Sequence, residues 1–215
     1  MTCSLQAQLI TRPFVQAAGS ATVSAPPDQA TIDASVSTTG PSAQGAAATN
    51  ANVVSGLIAA LGKLLGASAT INTTSYSVYP NYQSTSANAP PTVVGYTASS
   101  TVEVTLSNLT QAGAVIDTAV ANGATSLGGF SFSLKNPEPQ REQALQLATQ
   151  QAMAHANAMA TGAGHTVGTI RSVEEGTIIQ ISPISAPGAT AGVSTPVQPG
   201  TIQVQENVTI TADLN

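Results

Sequence analysis

The stretch Gly95–Leu109, GYTASSTVEVTLSNL, alternates between two residue classes almost without interruption. Successive strand side chains point to opposite faces of a sheet. Tyr96, Ala98, Ser100, Val102, Val104 and Leu106 therefore share one face. Thr97, Ser99, Thr101, Glu103, Thr105 and Ser107 share the other, and only Glu103 among them is charged. A helix would scatter this pattern around its axis. The chain therefore has to build a sheet with one apolar face and one nearly neutral, hydroxyl-coated face.

Composition extends that neutrality to the whole chain. Of 215 residues, 42% are hydrophobic, enough for a core, but only 7% are charged. Soluble domains usually carry roughly 25%. A disordered chain would instead be charge-rich and poor in Val, Ile and Leu. Weakly charged surfaces repel their own copies poorly, which favours an exported protein, a self-assembling one, or both. The net charge is -5, and Arg12, Lys63, Lys135, Arg141 and Arg171 are scattered, so no basic stripe exists for nucleic acid.

Cys3 is alone, which excludes an intrachain disulfide framework and a cysteine-rich zinc site. Met1 and Thr2 are too short for an export signal or lipidation box. Met1 thus either follows a removed signal or starts a chain that stays in the cytoplasm. No apolar run approaches the roughly 18 residues of a spanning helix.

Leu5, Ala7 and Leu9 alternate with Ser4, Gln6 and Gln8 until Arg12-Pro13 cuts the pattern. Residues 1–16 are read as a tail, or as an arm that lends a strand to a neighbouring copy. GSATVSAPPDQATIDASVSTTG gives two strands around a Pro-Pro-Asp turn. A helix follows over about 42–65, with Val54, Leu57, Ile58, Leu61, Leu64 and Leu65 inward and Gly66 at its end. ATINTTSYSVYPNY is a strand, and 81–91 a loop before the Gly95–Leu109 strand. A short helix over about 110–121 places Ala112, Ile116, Ala119 and Val120 inward. Phe130, Phe132 and Leu134 alternate in a further strand. The third helix, from Asn136 to about Gly162, has an inward stripe of Leu145, Ala148, Ala152, His155, Ala156 and Met159. A strand near 167–174 has a possible continuation through Ile181, and 182–199 is Pro-, Ala- and Gly-rich and read as a mobile loop. The last strand alternates Ile202, Val204, Val208, Ile210, Ala212 and Leu214 against polar residues. Glu206 breaks its apolar face and is placed near a sheet end.

Two-faced strands interleaved with helices define an α+β fold: mainly antiparallel sheet with helices packed on one face. Residues 17–215 are read as a single domain.

GSATVSAPPDQATIDASVSTTG, INTTSYSVYPNY, GYTASSTVEVTLSNLTQAGAVIDTAVANGA, FSFSL and QALQLATQQAMAHANAMATGAGHTVGTIRSVEEG occur in that order. Together they resemble the SIMPL-domain family, which includes bacterial periplasmic immunogenic proteins. The chain departs from it in charge, with Met153, His155 and Asn157 where the family usually carries Lys or Arg. The resemblance implies a periplasmic or extracellular protein, associated with the cell envelope, that forms ring- or pot-shaped homo-oligomers. It implies no established chemistry and no catalytic residues.

The residues themselves agree on chemistry. His155 reads as a packed helix residue and His165 as a turn residue, a poor pair for a metal. Glu174 and Glu175 are adjacent, so on a strand they point apart. No Gly-x-Ser-x-Gly elbow is present. No catalytic residue, cofactor or metal is expected. Tyr76, Tyr79, Tyr82 and Tyr96 fall on two neighbouring strands and, with Leu5, Ala7 and Leu9, are the candidate subunit contacts. The leading expectation is a non-enzymatic self-assembling protein. The alternative is a monomeric binding module for a small molecule, peptide or glycan, built on the tyrosines and the two loops.

Overall fold

A computed structural model of the chain describes residues 12–84, 90–176, 180–184 and 199–215. Leu5, Ala7, Leu9 and 185–198 of the 182–199 loop lie outside them, while 182–184 are strand rather than loop. The described residues of Met1–Ala25, Asn136–Ser182 and Gln203–Asn215 form one compact unit, and those of Pro26–Lys135 and Pro183–Ile202 form another.

The first unit holds β1 (Phe14–Ala25), α3 (Glu138–Gly162), β6 (Val167–Glu175) and most of β8 (Thr201–Leu214). Its sheet runs β1-β8-β6, with β7 (Gln180–Ile184) also joined to β8. β6 and β8 are antiparallel. The second unit runs β2 (Gln29–Gly40), α1 (Ala43–Leu65), β3 (Ala69–Gln83), β4 (Thr92–Leu106), α2 (Ala112–Ala121), β5 (Ser126–Ser133). Its sheet order is β3-β4-β2-β5, and every pairing is antiparallel. This is the split β-α-β arrangement of ferredoxin-like domains. The fold is α+β, as the strand patterns require, but its antiparallel sheet is two sheets.

The two strands around Pro26-Pro27 both form, yet they belong to different sheets. Two consecutive residues without an N–H cannot continue a ladder, and the chain leaves one sheet there for the other. Asp28 fixes the entry: its N–H donates to Ser133 O at 3.2 Å and its Oδ1 accepts from Lys135 N at 2.7 Å.

The core of the second unit is aliphatic. Ile32, Val36, Val102, Val104 and Leu106 from the sheet meet Leu57, Leu61 and Leu65 from α1, with Ala112, Val115 and Ala119 from α2. Val120 is exposed instead, one residue beyond the inward Ala119. Ser42 caps α1, its Oγ accepting from Gly45 N at 3.1 Å, and Gly66 ends it at φ 57. By length and composition alone Ala43–Ser68 is apolar enough to cross a membrane, although polar residues interrupt its apolar runs. Asn50 ties this helix to the sheet. It is fully buried, its Nδ2 donating to Val36 O at 2.9 Å and Ala98 O at 3.2 Å, while its Oδ1 accepts from Ser100 Oγ.

The first unit is packed with small residues. Ala144, Ala148, Ala152, Ala156 and Ala160 line one ridge of α3 at a spacing of four. Ala156 packs with Val15, Ala17 and Ala212, and Ala148 and Ala152 pack with Val208 and Ile210. A Cβ on Gly19 would lie 2.2 Å from Ala148 O and 2.4 Å from Ala152 N, so only glycine admits this close approach. His155, one position off the ridge, is exposed rather than packed.

Candidate functional site

β3 is rich in β-branched and aromatic residues, which suits an extended chain. Its fifteen residues include no charged side chain. It pairs with β4 from Ala69↔Leu106 to Gln83↔Thr92, with irregularities at Thr73/Ser75 and Asn81/Tyr82. It ends the sheet, so among the described residues no strand lies beside its outer edge. β2 accompanies β4 only as far as Gly40↔Tyr96. The hairpin beyond, Asn81–Gln83 against Thr92–Gly95, therefore extends past β2.

Tyr76, Tyr79 and Tyr82 lie on β3 and Tyr96 on β4, neighbouring strands as the pattern required. Tyr76, Tyr79 and Tyr82 are 57%, 49% and 63% exposed, and Val93 and Val94 on β4 are exposed beside them. The four rings do not converge on one pocket. Tyr76 pairs with Ser100 and Tyr96 with Pro80, on the side of the sheet that carries α1. Tyr79 pairs with Thr97 on the opposite side.

That opposite side is the hydroxyl face of the Gly95–Leu109 pattern. Its rungs read Thr31–Thr105–Thr70, Asp33–Glu103–Asn72, Ser35–Thr101–Ser75 and Ser37–Ser99–Ser77 across β2, β4 and β3. Ser35 Oγ and Thr101 Oγ1 are 3.1 Å apart. Thr97 Oγ1 donates to Asn81 Oδ1 at 3.0 Å.

Charge gathers in the first unit. Glu206 sits in mid-β8, not at a sheet end, and is fully buried. Arg141 from α3 reaches it, Nε to Oε1 at 3.1 Å, and also binds Glu175 and approaches Glu138 at 3.6 Å. The Glu175 carboxylate raises the Arg141 pKa above its ordinary value, first by hydrogen bonding and then by charge, with smaller contributions from Glu206 and Glu138. Arg171 binds Asp213, donates to Arg12 O at 3.3 Å and lies 5.5 Å over the Phe14 ring. The Arg141 network joins residues 65 positions apart, so it is invisible to local pattern. Its one trace in the sequence is the acidic interruption of an otherwise apolar strand face.

The same unit has an open cleft of about 240 Å3 lined by Ala18–Ser20, Gln151, His155 and Asn207–Thr209. His155 Nδ1 is 2.8 Å from Ala18 O, and Gln151 Oε1 accepts from Ser20 N at 2.7 Å. His155 is the only titratable group in the lining, so the cleft offers it no acid–base partner. Among the described residues no group of three or more His, Cys, Asp or Glu could hold a metal ion.

The two antiparallel sheets, their helices and the alternating strands define an α+β protein whose most distinctive surface is an uncharged sheet edge. The model of the SIMPL family, described as a protein of unknown function (DUF541), matches residues 15–212. The chain belongs to the SIMPL family. It is similar to the uncharacterized protein YggE of Edwardsiella ictaluri (strain 93-146), 33% identical over 79 residues. That match covers 37% of this chain and 33% of the relative's length.

Proposed function

We propose that this SIMPL protein is exported to the periplasm or beyond, performs no catalysis, and acts by assembling with copies of itself at the cell envelope. The observation that carries this reading is β3: a fifteen-residue edge strand with no charge and with exposed tyrosines. An exposed, uncharged edge of that length invites pairing with another chain. The cations sit elsewhere, and Arg141 and Arg171 are both held in ion pairs of the first unit.

The binding-module alternative is less well supported. A ligand site on the tyrosines needs them on one side of the sheet, and Tyr79 lies opposite Tyr76 and Tyr96.

Electron micrographs and solution sizing of the purified chain, with and without residues 1–12, test the reading. Closed rings or other uniform assemblies are expected. Isolated 21.4 kDa chains at high concentration would refute it. Assemblies that survive the truncation exclude only a role for the arm.

A further inference from the structure

Among the described residues five strands of the two sheets have an open edge, β1, β6, β7, β3 and β5, and they are unequally defended. β7 is uncharged but has only five residues, and its Pro183 lacks an N–H. In the first unit, β6 carries Arg171, Glu174 and Glu175. On β1, the Ala18 carbonyl and the Ser20 N–H are already engaged by His155 and Gln151. In the second unit, β5 has eight residues and is broken opposite Thr31–Asp33 by an irregularity that includes Gly129 at φ 56. Charges, occupied backbone groups and bulges are the usual barriers to edge pairing. β3 has no charge, and its longest regular run lies between its two irregularities, Ser75–Asn81. Pro80 lacks an N–H and shortens the usable run to Ser75–Tyr79.

We propose that Ser75–Tyr79 of one copy pairs antiparallel with the same segment of a second copy, about a two-fold axis through Ser77. The inference rests on the self-assembly reading and names its contact surface. The segment is complementary to itself in this register. Ser77 faces Ser77, Tyr76 faces Val78, and Ser75 faces Tyr79. Tyr76 and Val78 lie on the same side of β3, so each crossing makes an aromatic–β-branched pair there, a favourable cross-strand combination. On the other side the Ser37–Ser99–Ser77 rung meets its own copy, extending the hydroxyl face without a like-charge clash. A contact of this kind is isologous, as a two-fold axis requires.

Paired residues of an antiparallel ladder have Cα atoms about 4.5–5.5 Å apart, inside the range a disulfide spans. The test is Ser77→Cys in a full chain whose Cys3 is replaced by Ser, treated with diamide and run on a non-reducing gel. Thr70→Cys in the same background is the control. It is exposed on the same strand, but the axis puts it roughly 45 Å from its counterpart at about 3.3 Å per residue. Ser77→Cys is expected to give at least about tenfold more covalent dimer than Thr70→Cys, because pairing raises the effective thiol concentration. Circular dichroism confirms that both variants are folded. Equal cross-linking of the two overturns the proposed axis. Absence of the Ser77→Cys dimer in a protein that sizing shows to be assembled overturns the edge contact and leaves self-assembly standing. A monomeric parent chain overturns both.

Discussion

The two units solve the packing problem differently, and the difference sorts the chain's few charges. The second unit fills its core with Leu57, Leu61, Ile32 and their neighbours and hangs its helices over one face of the sheet. Its charged side chains are Asp28, Asp33, Lys63, Glu103, Asp117 and Lys135, and none lies on β3. The first unit has a narrow alanine seam and a charged edge strand, and it buries Glu206 against Arg141. Charge in the first unit holds elements together and guards an edge. Its absence from β3 leaves the opposite condition, an edge with no charge to keep another chain away.

The comparison breaks first at Arg141. Arg141→Ala strands Glu206 as a fully buried carboxylate without its counter-charge, and removing one partner of such a pair is strongly destabilising. It is expected to give the largest drop in urea midpoint of any substitution considered. The double change Arg141→Met with Glu206→Leu should recover most of the loss, because apolar groups of similar volume replace buried ion pairs well. If the double variant is as unstable as the single one, the pair does more than neutralise a buried charge.

Gly19→Ala comes next. Its Cβ would meet helix backbone at 2.2 Å, so α3 has to shift, at a cost of about 1–3 kcal/mol. A neutral outcome in denaturant titration would mean that the alanine seam is not close-packed there. Asn50→Ala probes the second unit. It leaves the Ser100 hydroxyl without its acceptor in a buried position and should cost about 1–3 kcal/mol. Smallest in stability is Ser75→Lys with Ser77→Lys, expected within about 0.5 kcal/mol because both sites are exposed. Its effect should fall on assembly instead.

Much of this was legible locally. The alternation of β4 and β8 and the Gly66 stop follow from neighbours in the chain, and each lies where the pattern put it. The tyrosines were also legible as residues of neighbouring strands. Alternation fixes which residues share a face, but not which sheet a strand joins, so the separation at Pro26-Pro27 did not follow from it. Nor does it reveal bulges, and the irregularities at Thr73/Ser75 and Asn81/Tyr82 set the usable length of the β3 edge. The helical stripe of α3 misled for a related reason. Several small residues fit an inward face equally well, and only the spacing of four against β8 excludes His155. Glu206 was conspicuous in the sequence, but its partner Arg141 is on another element and no periodicity links them.

Sedimentation velocity of the parent chain beside the Ser75→Lys, Ser77→Lys variant tests the role of the uncharged β3 edge most directly. The parent is expected to sediment as an assembly larger than its 21.4 kDa chain, and the variant, equally folded, as a smaller species that has lost the β3 contact. Identical sedimentation of the two proteins, whether both assembled or both monomeric, would contradict it.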